Sequence, residues 1–196
     1  MTVLRAVCVF CGSSAPADPR YLDAARALGS LVARKGIVLV YGGGRRGLMG
    51  ELADAALGEG GRVVGVIPTG LFDREVNHTG LTELHEVGSM HERKQLMYEK
   101  SDAFVALPGG LGTLDELAEI ATWSQLGLHS KPVVLLDVDG FWDPLATQLD
   151  RMAGAGFVKP ANRGLIQRTR SAEEALAAIA ATGPGEPEKW ITAEER

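Results

Sequence analysis

Runs of consecutive apolar, β-branched-rich positions recur at 5–10, 37–41, 62–67, 103–107 and 133–136. Several are apolar on both faces, the pattern of strands covered on both sides of a parallel sheet. Between them the apolar positions shift to helical spacing. The segments 21–35 (Ala24, Ala25, Leu28, Leu31, Val32), 47–59, 90–100, 113–126, 142–153 and 171–181 read as helices. Strand–helix alternation of this kind predicts an α/β fold, Rossmann-like and doubly wound, with a mainly parallel sheet and helices on both faces. The segment 69–88 is less regular, with a short strand expected within 81–87. A single domain is expected over 1–181. The Gly- and Pro-rich segment 182–196 reads as a terminal tail.

Ligands of such sheets bind beyond the carboxyl ends of the strands, and the glycines concentrate there. Three strands run into Cys11-Gly12-Ser13-Ser14, Gly42-Gly43-Gly44 and Pro108-Gly109-Gly110-Leu111-Gly112-Thr113. Glycine lets backbone N–H groups approach an anion closely, and a following helix N-terminus favours negative charge.

Composition narrows the partners. The 196 residues are 45% hydrophobic and 23% charged, and 20 Lys+Arg against 25 Asp+Glu leave a formal charge of −5. That balance argues against broad nucleic-acid binding while permitting a local cationic pocket. The apolar N-terminal run is too short to span a membrane and no charged leader precedes it, so a cytoplasmic protein without membrane partners is expected. Cys8 and Cys11 form a C-x-x-C pair at the end of a strand instead of at a helix N-terminus, and none of the four histidines completes a zinc set. The pair reads as packing, and no metal or cofactor is expected.

Gly42-Gly43-Gly44-Arg45-Arg46-Gly47 matches G-x-G-x-x-G after a strand, but the next strand ends Val66-Ile67-Pro68-Thr69 without the ribose-binding acid of a dinucleotide site. A P-loop is also absent. The segment is either a tight turn or a loop approaching phosphate or ribose. Thr113 and Glu116 have capping-box spacing, which offers a structural reason for both. Yet two adjacent carboxylates, Asp115 and Glu116, beside a phosphate cradle suit a reaction that develops positive charge on a sugar or needs a base for water. Glu116 is therefore read as catalytic and Asp115 as a partner of the helix dipole. Arg93 and Lys94 lie near the start of a helix, where the dipole disfavours cations by roughly 0.3–1 kcal/mol. Arg93 reads as an anion or leaving-group contact. His78, His85 and His129 read as surface or hydrogen-bonded side chains, and Trp123 as packing. No zinc-protease motif or serine-hydrolase elbow is present.

Cys8-Val9-Phe10-Cys11-Gly12-Ser13-Ser14, Tyr41-Gly42-Gly43-Gly44 with Gly47-Leu48-Met49-Gly50, Met90-His91-Glu92-Arg93-Lys94 and the Pro-Gly-Gly-x-Gly-Thr-x-x-Glu run from Pro108 to Glu116 together resemble the LONELY GUY family. The resemblance covers about residues 4–180. It implies a cytokinin riboside 5'-monophosphate phosphoribohydrolase. Such an enzyme cleaves the N-glycosidic bond of N6-modified AMP to free base and ribose 5-phosphate, with AMP itself as an additional candidate substrate. It further implies Arg93 and Glu116 as the catalytic pair. Lys94, Gly110, Leu111, Gly112, Thr113, Leu114, Asp115, Glu75 and Thr122 are implied as nucleotide contacts, and Ser13, Gly43 and Gly44 stand beside them on the glycine-rich loops. A homodimer, or a hexamer, is implied as well, with the helices around 90–98 and 114–123 as interface candidates. Members have often been labelled lysine decarboxylases, but no lysine here sits in a pyridoxal-phosphate context. A nucleotide sensor that binds without hydrolysis would keep the glycine cradle and would not need Arg93 together with Glu116.

Overall fold

The computed structural model describes residues 4–69 and 77–182; the expected tail, apart from Thr182, and Glu75 lie outside the described residues. Seven strands are described: β1 (Ala6–Phe10), β2 (Val38–Tyr41), β3 (Val63–Pro68), β4 (Glu83–Val87), β5 (Ala103–Ala106), β6 (Val133–Leu136) and β7 (Ile166–Thr169). They form one sheet in the order β4-β3-β2-β1-β5-β6-β7, and every pairing is parallel. The order reverses between β1 and β5, so the crevice of a doubly wound sheet opens there. At that point Gly12 N donates to Pro108 O at 3.1 Å.

The helices are α1 (Pro19–Arg34), α2 (Gly47–Gly58), α3 (Met90–Glu99), α4 (Leu111–Gln125), α5 (Asp143–Gly154), the single turn α6 (Pro160–Arg163) and α7 (Ala172–Ala181). β1 shows how the two cores divide. Val7, Val9 and Cys11 face α1, α2 and α7, whereas Ala6, Cys8 and Phe10 face Met97 of α3 and Leu117 and Ile120 of α4. Alternate residues of a strand point to opposite faces, and here both faces are covered. The fold class read from the sequence therefore stands.

Two elements escaped the sequence reading. β7 carries Gln167 and Arg168 on an edge strand with a single neighbour, so it lacks the apolar run of a central strand. α6 is one turn, too short to show a period.

Local signals explain the helix starts. Asp18 caps α1 by accepting from Arg20 N at 2.9 Å, with Pro19 in the first position. Ser89 and Glu92 cap α3 as a pair: Glu92 N donates to Ser89 Oγ at 3.1 Å, and Glu92 Oε2 accepts from Gly88 N, the residue before the cap, at 2.7 Å. Ser171 and Glu174 repeat the device on α7. α4 differs. It begins at Leu111 with Gly110 as its cap and no side-chain cap bond, so the expected box at Thr113 and Glu116 does not form. Both residues lie inside the helix and are buried.

Beyond β6, Asp137 ties down the loop that carries Phe141 to the crevice. Its carboxylate accepts from Trp142 N at 2.9 Å, Gly140 N at 3.2 Å and Arg168 Nη2 at 2.6 Å. Burial pushes its pKa up, but these donors prevail and hold it below the usual carboxylate range. Asp137→Ala strands the donors and is expected to lower stability by about 2 kcal/mol in urea unfolding; an unchanged midpoint would remove Asp137 from this role.

Candidate active site

A cavity of ~480 Å³ occupies the crevice at the β1–β5 switch point. Its walls come from the loops after β1 (Cys11 to Ser14), β2 (Gly42, Gly44) and β5 (Pro108 to Thr113), with Arg93 of α3 and Glu116 of α4 also exposed to it. Tyr21 and Phe141, in edge contact at 5.8 Å, line another part of the wall.

The first intrahelical bond of α4 runs from Leu114 N to Gly110 O, 3.1 Å. The N–H groups of Leu111, Gly112 and Thr113 therefore precede the hydrogen-bonded ladder, and all three residues line the cavity. The absence of a side-chain cap leaves those donors and the positive end of the helix dipole to whatever enters, an arrangement suited to an anion such as phosphate. Gly47, at φ 60°, brings α2 against the loop after β1, since a Cβ there would overlap Ser14 O. The two glycine-rich loops are thereby locked together.

Arg93 and Glu116 meet in the wall. Arg93 Nη1 donates to Glu116 Oε1 at 2.6 Å, with the side chains 7% and 5% exposed. Arg93 Nε donates to Val66 O at 3.1 Å. The guanidinium lies against Gly42, where a Cβ would overlap Nη2. Burial raises the Glu116 pKa above the ordinary carboxylate value, while the charge of Arg93 and its hydrogen bond act in the opposite direction. Cys8 and Cys11 are free and buried, and burial pushes both thiols up. They are neutral packing groups, as read from their position.

The structure gathers Arg93, Glu116, Gly110, Leu111, Gly112, Thr113, Gly44 and Ser13 around one cavity. Gly43, Lys94, Leu114, Asp115 and Thr122 lie off its wall. Gly43 turns at φ 73° against β3, where a Cβ would meet Val66 N and Ile67 Cβ. Lys94 Nζ pairs with Asp115 Oδ2 at 3.0 Å and Glu119 Oε1 at 3.1 Å. Asp115 is thus an ion-pair partner, in place of the dipole role expected for it. Leu114 and Thr122 are exposed on α4. Three of the four histidines are hydrogen-bonded as read: His78 to Asp54, His85 to Glu83 and His129 to Ile120 O. Gly42, Tyr21 and Phe141 escaped the sequence reading. Gly42 was visible only as one glycine of three, and the aromatics lie far from the motifs in sequence.

The chain matches, over residues 49–179, the family described as "Possible lysine decarboxylase". It is 56% identical over 163 residues to the "Probable cytokinin riboside 5'-monophosphate phosphoribohydrolase LOGL9" of Oryza sativa subsp. japonica, covering 83% of this chain and 71% of that one. It is 49% identical over 176 residues to the cytokinin riboside 5'-monophosphate phosphoribohydrolase of Rhodococcoides fascians, covering 89% of each chain. Among solved structures, the molybdenum cofactor binding protein of Rippkaea orientalis is 25% identical with a TM-score of 0.70, covering 92% of this chain and 98% of that one.

Gly42→Ala is expected to push the Arg93 guanidinium away from Glu116. A misplacement of this size in an active site costs turnover by ~10²-fold. In an Arg93→Ala background the same glycine substitution should cost little, and steady-state kinetics of the two single variants and the double variant check this.

Proposed function

The chain belongs to the LONELY GUY family of cytokinin riboside 5'-monophosphate phosphoribohydrolases, and from that premise we propose that its cavity hydrolyses the N-glycosidic bond of N6-modified adenosine 5'-monophosphates. The products are the free base and ribose 5-phosphate, and AMP is an additional candidate substrate of the same site. The observation that carries this reading is the buried Arg93–Glu116 pair bordering the cavity opened by the uncapped α4 terminus. Leu111 and Glu116 are five positions apart, roughly 7.5 Å of helix rise, so a ribose can lie between a phosphate at the helix end and the carboxylate.

In this mechanism the 5'-phosphate is a handle, held by the N–H groups of Leu111, Gly112 and Thr113 with Ser13 and Gly44 beside it. Breaking the bond between C1' and the purine nitrogen sends the bonding pair to the base and builds oxocarbenium character at C1'. Glu116 faces that charge and takes the proton of the water that adds to C1'. Arg93 keeps Glu116 anionic and oriented, and its Nη2, which has no acceptor among the described residues, is available to the anion or the departing purine. The phosphate is not transferred, so the reaction asks for no metal or cofactor.

Helices α3 and α4 present Met90, Leu111 and Leu114 to solvent, 37%, 85% and 37% exposed. Apolar surface beside a site suits a second copy of this chain. The reading therefore includes a homodimer, or a hexamer built from it, that brings Leu114, Asp115 and Thr122 towards a neighbouring site. Two free buried thiols suit a reducing compartment, and the proposed setting is the cytoplasm. Among the described residues no helix is long and apolar enough to cross a membrane.

Purified protein incubated with isopentenyladenosine monophosphate or AMP is expected to release the free base and ribose 5-phosphate on chromatography. Glu116→Gln should lower that rate by about 10²–10⁴-fold while leaving AMP binding largely intact. Tight binding with no base released by the wild type would identify a sensor instead.

The raised pKa of Glu116 also sets a pH dependence. The carboxylate acts in its ionised form, so kcat/KM should fall as pH drops through a value above the ordinary Glu range of ~4.3, and this acid limb should be missing from the residual activity of Glu116→Gln.

A further inference from the structure

The resemblance assigns Lys94 to the nucleotide, but its position in the structure assigns it elsewhere. Its side chain is 10% exposed and its ammonium lies between Asp115 and Glu119, one helical turn apart on α4, instead of on the cavity wall. Those two acids flank Glu116 in sequence. Neighbouring cations of α3 thus engage neighbouring acids of α4: Arg93 inward to Glu116, Lys94 outward to Asp115 and Glu119.

We propose that Lys94 is a positioning residue, whose ammonium neutralises Asp115 and Glu119 and thereby holds α4 with Glu116 facing Arg93. This rests on the reading of Glu116 as the working carboxylate. Like charges on one helix face repel, and a cation bridging them removes that repulsion. The charged groups around Glu116 are Arg93 and Lys94 from α3 and Asp115 from its own helix, while Cys8 and Cys11 face it from the strand side. Of these, Asp115 raises its pKa, and Arg93 and Lys94 lower it. The thiols are neutral. Without Lys94, uncompensated negative charge beside Glu116 would favour its protonated form.

The test is the pH profile of kcat/KM for isopentenyladenosine monophosphate in Lys94→Gln. The acid limb is expected to move upward by ~1 pH unit, a tenfold loss on that limb, with KM on the plateau within about twofold of wild type, since uniform binding is untouched. Asp115→Asn added to Lys94→Gln should bring the limb back down, and Lys94→Arg, which keeps the charge, should leave it near its original position. An unmoved limb accompanied by a raised KM and weaker inhibition by ribose 5-phosphate would make Lys94 a phosphate ligand and overturn the proposal. If Lys94→Gln does not fold, an acid limb moved upward in Lys94→Arg overturns it as well. Failure of the underlying reading is distinguishable, because Glu116→Gln would then retain activity.

Discussion

The structure is organised around an ion pair that ought not to be favourable. Arg93 and Glu116 are almost wholly buried, and removing two such charges from water costs several kcal/mol per ion, which their attraction does not reliably repay. A purely structural site would fill this volume with apolar side chains. The pair survives because its surroundings are made for it. Val66 O takes the Nε proton, Gly42 leaves room for Nη2, and the rest of the polar surface faces a cavity. Since the cost is borne in the fold whether or not substrate is present, the charges are already in place for the developing cation, which is the condition under which electrostatic stabilisation of a transition state is most effective.

The helix ends repeat this logic in reverse. Helices α1, α3 and α7 each close their first turn with an Asp or Ser side chain, whereas α2, α4, α5 and α6 start without a side-chain cap bond. α4 begins on Gly110 and leaves its first turn to the cavity. Placing that open end at the β1–β5 switch point, beside Gly12 and the β2 loop, lets two glycine-rich loops and one helix terminus converge on a single cavity. The topology supplies the position and the missing cap supplies the donors.

Most of this was legible in the chain, though not always for the reason first read. Strands buried on both faces announced the parallel sheet, and the glycine runs marked its ligand edge. Glu116 was read from its place in a motif, yet periodicity also singles it out: Thr113, Glu116, Leu117, Ile120 and Ser124 form the buried stripe of α4. Arg93, four residues before Met97, likewise occupies the core-facing side of α3. A charged residue in an apolar stripe needs a buried partner, so each pointed to the other. Thr113 and Glu116 have capping-box spacing, but such spacing is only local, and in the structure the capping pair forms at Ser89 and Glu92 instead. Lys94, Gly42 and Phe141 could not be placed from sequence, since their roles depend on which helix face or loop lies opposite, a tertiary fact that no local spacing encodes.

The two successive cations of α3 show why their residue types are not interchangeable. Arg93 must serve a carbonyl, a carboxylate and the cavity at once in fixed directions, which the planar fork of a guanidinium does and an ammonium does not. Lys94 must sit between two carboxylates of one helix, and a compact point charge with freely rotating donors fits there. A lysine at position 93 would preserve the charge yet lose that geometry, whereas position 94 asks for the positive charge first. The Arg-Lys order thus encodes the register of α3 against α4, and through it the position of Glu116 above the cavity.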